Sequence, residues 1–70
     1  MPRIGVDWMT RVDIQMYYSR LIQAYVDKED FERQIKNAEY GYTIFVEIVD
    51  INGIKLKFNP QYVAYIKYFD

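Results

Sequence analysis

Seventy residues without histidine or cysteine exclude disulfide cross-links and zinc sites built from those two residues. Nine basic and ten acidic side chains give a net charge of −1, so no bulk attraction to nucleic acid or to an anionic membrane is expected. Eight tyrosines, four phenylalanines and one tryptophan instead favour protein binding, because aromatic side chains are enriched at interfaces.

The length predicts one domain, residues 1–70, close to the size at which a single apolar core is sufficient. Without disulfides or zinc, association with another chain is the remaining source of stability, so we expect a protein partner, a homo-oligomer or both. The residues before Trp8 hold no apolar run typical of a signal peptide, and no segment has transmembrane length. A cytoplasmic protein is therefore expected.

Residues 11–26 fit two patterns. In the first, Val12, Ile14 and Met16 alternate with other residues as in a β-strand, and residues 21–26 return as a second strand. In the second, residues 10–38 form one long helix, because apolar residues also recur there at heptad spacing. The many β-branched and aromatic residues favour the hairpin, although no glycine, proline or asparagine marks its turn.

The next element is a helix over Lys28–Ala38. Asp27 is a favourable N-cap residue, and acidic side chains follow it in the first turn, where they complement the helix dipole. Phe31, Ile35 and Ala38 then recur with helical spacing and predict a narrow apolar stripe. A helix that begins at this cap also argues against one long helix passing through it.

Three strands are predicted after the helix. Apolar residues alternate over Tyr42–Val49, Asn52-Gly53 indicates a tight two-residue turn, and a second alternating run covers Ile54–Phe58. Asn59-Pro60 ends that strand, and a third run covers Tyr62–Phe69. We therefore predict an α+β fold in which a small antiparallel sheet packs on one helix in the order ββαβββ, its last three strands forming a meander. The alternative is a long N-terminal helix over residues 10–38, followed by the same meander.

No residue pattern indicates catalysis, and we expect neither an enzyme nor a cofactor or metal. The acidic side chains of residues 27–32 are explained by a capped helix N-terminus and lack the spacing of a calcium loop. The three glycines, Gly5, Gly41 and Gly53, lie too far apart to form a phosphate-binding loop, and no serine or threonine has a histidine to activate it.

Helix 28–38 can cover only one face of the sheet. The predicted core facing it consists of Val12, Ile14, Met16, Ile44, Val46, Ile48, Ile54, Leu56, Phe58 and Ile66. Alternation then directs a partner-binding set of large apolar side chains to the opposite face: Tyr17, Tyr25, Phe45, Val49, Tyr65 and Phe69. If the N-terminal arm with Trp8 covered these side chains, they would be structural instead.

Two functions are compatible with such a face. We favour a protein-binding module that self-associates, or that binds and inhibits or adapts another protein, as expected of phage or mobile-element accessory proteins acting on host factors. The alternative is a single-stranded nucleic-acid binder, with bases stacked on Tyr17, Phe45 and Tyr65. Phosphates would be held in that case by Lys55, Lys57, Lys67 and Arg11, but acidic residues are interleaved there, namely Asp13, Glu47 and Asp50. Nucleic acid, a membrane and a small-molecule substrate are therefore not the expected partners.

Overall fold

The structure of the chain, a computed structural model, describes residues 9–69. Its elements follow the predicted order ββαβββ, and the fold is α+β. The elements are β1 (Thr10–Met16), β2 (Leu21–Val26), α1 (Lys28–Glu39), β3 (Val46–Val49), β4 (Lys55–Phe58), a 3₁₀ turn (Pro60–Tyr62) and β5 (Val63–Phe69). Residues 11–26 are thus a hairpin, and the alternative of one long helix over residues 10–38 is wrong.

The strands form two antiparallel sheets. The larger has the order β2-β1-β5, and the smaller is the hairpin β3-β4. A single bridge between Ala24 and Asp50 joins β2 to β3, and the Ile51 amide donates to the Gln23 carbonyl beside it at 3.0 Å. The two sheets therefore touch near the middle of β2, where β3 ends, and diverge from there towards Val26.

The predicted meander of the last three strands is wrong, because β5 pairs with β1 and not with β4. The 3₁₀ turn redirects the chain between them: Asn59 caps it by accepting from the Gln61 amide at 2.9 Å, and Pro60 occupies its first turn. Tyr17 then donates its amide to the Tyr62 carbonyl at 2.8 Å, which fixes the start of β5 beside the end of β1.

The two hairpin loops have the same backbone geometry. In the first, Met16 donates to the Arg20 carbonyl and accepts from the Ser19 amide; in the second, Asp50 makes the equivalent pair of bonds with Ile54 and Gly53. The third residue of each loop has positive φ, 73° at Ser19 and 83° at Gly53. These are three-residue loops with a left-handed third position, so the predicted two-residue Asn-Gly turn is one residue longer than expected.

Helix α1 begins and ends as its sequence predicts. Asp27 accepts a hydrogen bond from the Glu29 amide at 3.2 Å, as an N-cap side chain does. At the other end Gly41 has φ of +87°, its amide donates to Ala38, and the Tyr42 amide donates to Asn37. This Schellman arrangement requires a left-handed residue, which glycine adopts without steric cost.

The helix ending also delays β3, which begins at Val46 rather than at the predicted Tyr42. Because Tyr42 still bonds back to the last helical turn, the chain needs residues 43–45 to turn towards the sheet. Ile44 lies in that segment and is 65% exposed, and Ile54 precedes β4 and is 55% exposed. The prediction that these two isoleucines belong to the core is therefore wrong.

The core lies between the inner faces of both sheets and α1. Its buried members include the predicted Val12, Ile14, Met16, Val46, Ile48 and Phe58, together with Ile22, Ala24, Val26 and Phe31. Leu56 and Ile66, also predicted, are half-buried and pack against this cluster. Phe31 is the one residue of α1 that is fully buried, so the helix covers the inner face and leaves the other side of the sheet open.

Candidate protein-binding face

The side of the larger sheet that faces away from α1 carries three cross-strand rows of side chains, which we call the outer face. Each row has a central β1 residue, with a β2 residue on one side and a β5 residue on the other. The rows are Tyr25–Arg11–Phe69, Gln23–Asp13–Lys67 and Leu21–Gln15–Tyr65. The alternation of β1 produces this face, because its even-numbered residues Val12, Ile14 and Met16 are all buried on the other side.

The first row is an arginine between two aromatic rings. The Arg11 guanidinium carbon lies 6.0 Å from the centroid of the Tyr25 ring and 5.5 Å from that of Phe69. Its Nε donates to the Asp13 carboxylate at 3.2 Å. Both rings remain about half exposed, 44% for Tyr25 and 47% for Phe69. The guanidinium is thus held by cation–π contacts and an ion pair while the row stays open to a partner.

The other two rows are more polar at their centres and apolar at their edges. Leu21 and Tyr65 flank Gln15 and are both exposed, and Lys67 lies opposite Asp13 with its Nζ 5.5 Å from the Phe69 ring centroid. Large apolar groups therefore occupy the corners of the outer face around a polar central strip. Apolar anchors and an aromatic-packed arginine are the residue types that dominate binding energy at protein interfaces.

Of the six predicted partner-binding residues, the outer face brings together Tyr25, Tyr65 and Phe69. Val49 lies next to this group, because the Ala24–Asp50 bridge places Val49 across from Tyr25. Phe45 is half exposed but lies just before β3, at the end of the smaller sheet that diverges from the outer face. Tyr17 is 72% exposed in the loop between β1 and β2, so it belongs to no strand face.

Arg11, Leu21 and Lys67 belong to the outer face but not to the predicted partner-binding set. The place of Lys67 beside Asp13 depends on β5 returning to β1. The alternation of β1 places Arg11 on the side opposite the buried Val12, Ile14 and Met16, so that signal predicts its exposure but not its contacts with the two rings. Leu21 is the first residue of β2. The alternation of β2, continued from Tyr25 through Gln23, predicts that Leu21 lies on the outer face.

A cleft opens where β2 and β3 diverge, with a volume of about 380 Å³. Phe31 and Ile48 line its floor, and Tyr25 and Val49 line its mouth. On the helix side Gln34 closes it: the side-chain amide donates to the Glu47 carbonyl at 3.1 Å, and its oxygen accepts from the Glu47 amide at 2.9 Å. Gln34 thus satisfies the main-chain groups that β2 leaves unpaired.

Two acidic side chains at the start of α1 have local roles. Asp27 caps the helix, and Asp30 accepts from Arg33 and from Gln34. Within residues 9–69 there is no cluster of three or more acidic side chains arranged to hold a metal ion. In the same part of the chain, no helix combines the length and the apolar character needed to cross a bilayer.

No protein-family model, curated protein or solved structure matches this chain.

Proposed function

We propose that this chain is a non-enzymatic protein-binding module that captures another protein, or a second copy of itself, through the outer face, and thereby inhibits or adapts the protein it binds. The row Tyr25–Arg11–Phe69 is the observation that carries this proposal. Its guanidinium is already positioned by Asp13 and by both rings. Binding a partner at this row therefore costs little side-chain conformational entropy.

The size of the core supports the same function. Only ten residues of the described chain are buried hydrophobics, while many large apolar side chains remain exposed. Those at Leu21, Tyr25, Tyr65 and Phe69 share one face, and no element among residues 9–69 packs over it. Clustered exposed apolar groups on a small protein are typical of an interaction surface, whereas isolated ones are ordinary.

A photo-crosslinking pair tests the proposal. Benzoylphenylalanine replaces Tyr65 on the outer face in one variant and Tyr42 in the other, since Tyr42 is 76% exposed and lies after α1. We expect a discrete protein adduct from position 65, none from position 42, and loss of the adduct when Arg11→Ala is added. Identical adducts from both positions, or none from position 65, would contradict a binding role for this face.

Single-stranded nucleic acid is the second candidate, and one observation favours it. Arg11 and Lys67 share the outer face with three aromatic rings, while Asp13 is the one acidic side chain in the three rows. If both cations contact phosphates, the logarithm of the affinity for an oligonucleotide should fall with the logarithm of salt with a slope of about −1.4, at about −0.7 for each contact. A nuclease-sensitive adduct at position 65 would favour this function over protein binding.

A further inference from the structure

The second edge of β5 is open within the described chain. One edge pairs with β1, and no strand of residues 9–69 pairs with the other. Met16 donates to Arg20, so the even-numbered residues of β1 direct their main-chain groups to β2 and the odd-numbered ones to β5. The register between β1 and β5 therefore directs the main-chain groups of Ile66 away from β1, towards the open edge.

The other strand edges are protected. On β4, the residues whose main-chain groups point outward are Lys55 and Lys57, and charged residues are a common means of blocking edge pairing. The outer edge of β2 is partly occupied by the bridge between Ala24 and Asp50. In contrast, β5 is seven residues long and carries a single charge, that of Lys67. A long, mostly apolar edge of this kind favours pairing with another strand.

We propose that β5 pairs antiparallel with β5 of a second copy of this chain, about a twofold axis at Ile66. Ile66 is the midpoint of Val63–Phe69, so this register aligns the two strands end to end. The pairing of β5 with β1 shifts by one residue at Ala64, and this shift lies outside the central residues Tyr65–Lys67 of the proposed pairing. It points the outward main-chain groups of each Ile66 at those of the other, as an antiparallel hydrogen-bonded pair requires. The partner is thus a second copy of the chain, because the open edge of β5 is complementary to itself.

Charge selects this register over its neighbours. With the axis at Ile66, Lys67 lies opposite Tyr65 of the second copy, where an ammonium and an aromatic ring attract each other. An axis at Lys67 would place the two ammonium groups directly opposite each other, which is destabilising. An axis at Tyr65 would extend the pairing into the 3₁₀ turn at Pro60–Tyr62, where the backbone cannot continue a ladder.

The dimer joins the two larger sheets into one of six strands and places the two outer faces side by side. The half-buried Ile66 side chains meet at the axis on the inner side. The interface is one strand wide and lies at the low end of interface sizes, so the dimer forms in a concentration-dependent way. This inference goes beyond the proposed function, since it uses the edge of the sheet. Of the outer face, only the β5 residues lie beside the dimer seam, and Arg11 and Tyr25 stay free for a partner.

Single cysteines test the register, because the natural chain contains none. Ile66→Cys places the two sulfurs at the axis, with the Cα atoms roughly 5.5 Å apart, within the range that a disulfide spans. Lys67→Cys places its two Cα atoms about 8 Å apart, from two residues of rise and one interstrand spacing, which is beyond that range. Lys57→Cys, on the edge of β4, is the control for random collisions.

We expect Ile66→Cys to form the disulfide dimer at least tenfold faster than either lysine variant under mild oxidation. Equal rates at positions 66 and 57, or faster cross-linking at position 67, would overturn the proposal. Ile66 is half-buried, so hydrogen exchange of the unaltered chain provides a second measurement: the Ile66 amide should become protected as concentration rises, and the Lys57 amide should not. Absence of that protection would also overturn the proposal, whereas Arg11→Ala, which tests the outer face, should leave both results unchanged.

Discussion

Ser19 is the described residue whose type fits its backbone conformation least well. Its φ of 73° lies in the left-handed region, where a Cβ atom crowds the following carbonyl at a cost of roughly 1–2 kcal/mol. The equivalent position of the second hairpin loop is Gly53, which has no Cβ atom. The sequence signal for the first turn is weak for this reason, because the chain uses serine where glycine or asparagine is usual.

We expect Ser19→Gly to stabilise the chain by about 0.5 kcal/mol, because the relief of strain exceeds the entropy that glycine loses on folding. Gly53→Ala should destabilise it by about 1 kcal/mol through backbone strain alone, since an added Cβ there meets no atom within 4 Å. Urea unfolding measures both changes. Ser19→Ala is the matched control and should bring no gain; a gain from Ser19→Ala equal to that from Ser19→Gly would show that the hydroxyl, not the backbone, is responsible.

Among the elements, α1 and β3 are joined by the hydrogen bonds of Gln34 in addition to the apolar packing of Phe31. Gln34 makes two hydrogen bonds to the main chain of Glu47 and is itself oriented by Asp30, whose carboxylate accepts from its amide at 3.1 Å. The glutamine therefore acts as a substitute for the strand that would otherwise pair with this edge of β3.

We expect Gln34→Leu to lower the free energy of unfolding by on the order of 1–2 kcal/mol, because two hydrogen bonds are lost in a partly exposed setting. Chemical denaturation gives this value, and hydrogen exchange at the Glu47 amide shows where the structure loosens. Gln61→Leu, at an exposed position of the 3₁₀ turn, controls for the change from amide to isobutyl. If both leucine variants are equally stable, the contact between Gln34 and Glu47 contributes nothing to the docking of α1.

The elements were predictable where their signals are local. Asp27 and Gly41 define both ends of α1, and the alternation of Val12, Ile14 and Met16 gives β1 and its buried side. The pairing of β5 was not predictable in this way, because it depends on how the turn at Pro60 directs the chain and on which edge of β1 remains open. Neither leaves a periodic pattern in the sequence.

The same distinction applies to the outer face. Tyr25, Tyr65 and Phe69 were predictable as exposed aromatics from alternation within their own strands. Arg11 acquires its role only from its neighbours, since two different strands must bring rings to either side of it. A binding surface that is assembled across strands needs the register, and the register follows from non-local pairing that the sequence of one strand does not contain.

At the scale of the whole molecule, the two sheets share one core although a single bridge joins their backbones. Val46 of the smaller sheet is fully buried in the same cluster as Ile14 of the larger one. Packing, rather than main-chain hydrogen bonding, therefore couples them. We expect the two sheets to unfold together, as small domains with one core usually do.

Val46→Ala tests this coupling, and we expect it to lower the free energy of unfolding by about 2 kcal/mol through the cavity it leaves. Because the core is shared, hydrogen exchange should accelerate by a similar factor at amides of β1 and of β4, although Val46 belongs to neither strand. Val49→Ala, on the exposed side of the same strand, is the matched control and should change both rates little. Faster exchange confined to β3 and β4 would instead mean that the smaller sheet opens independently. The bridge between Ala24 and Asp50 would then be too weak to transmit the destabilisation of β3 to the larger sheet.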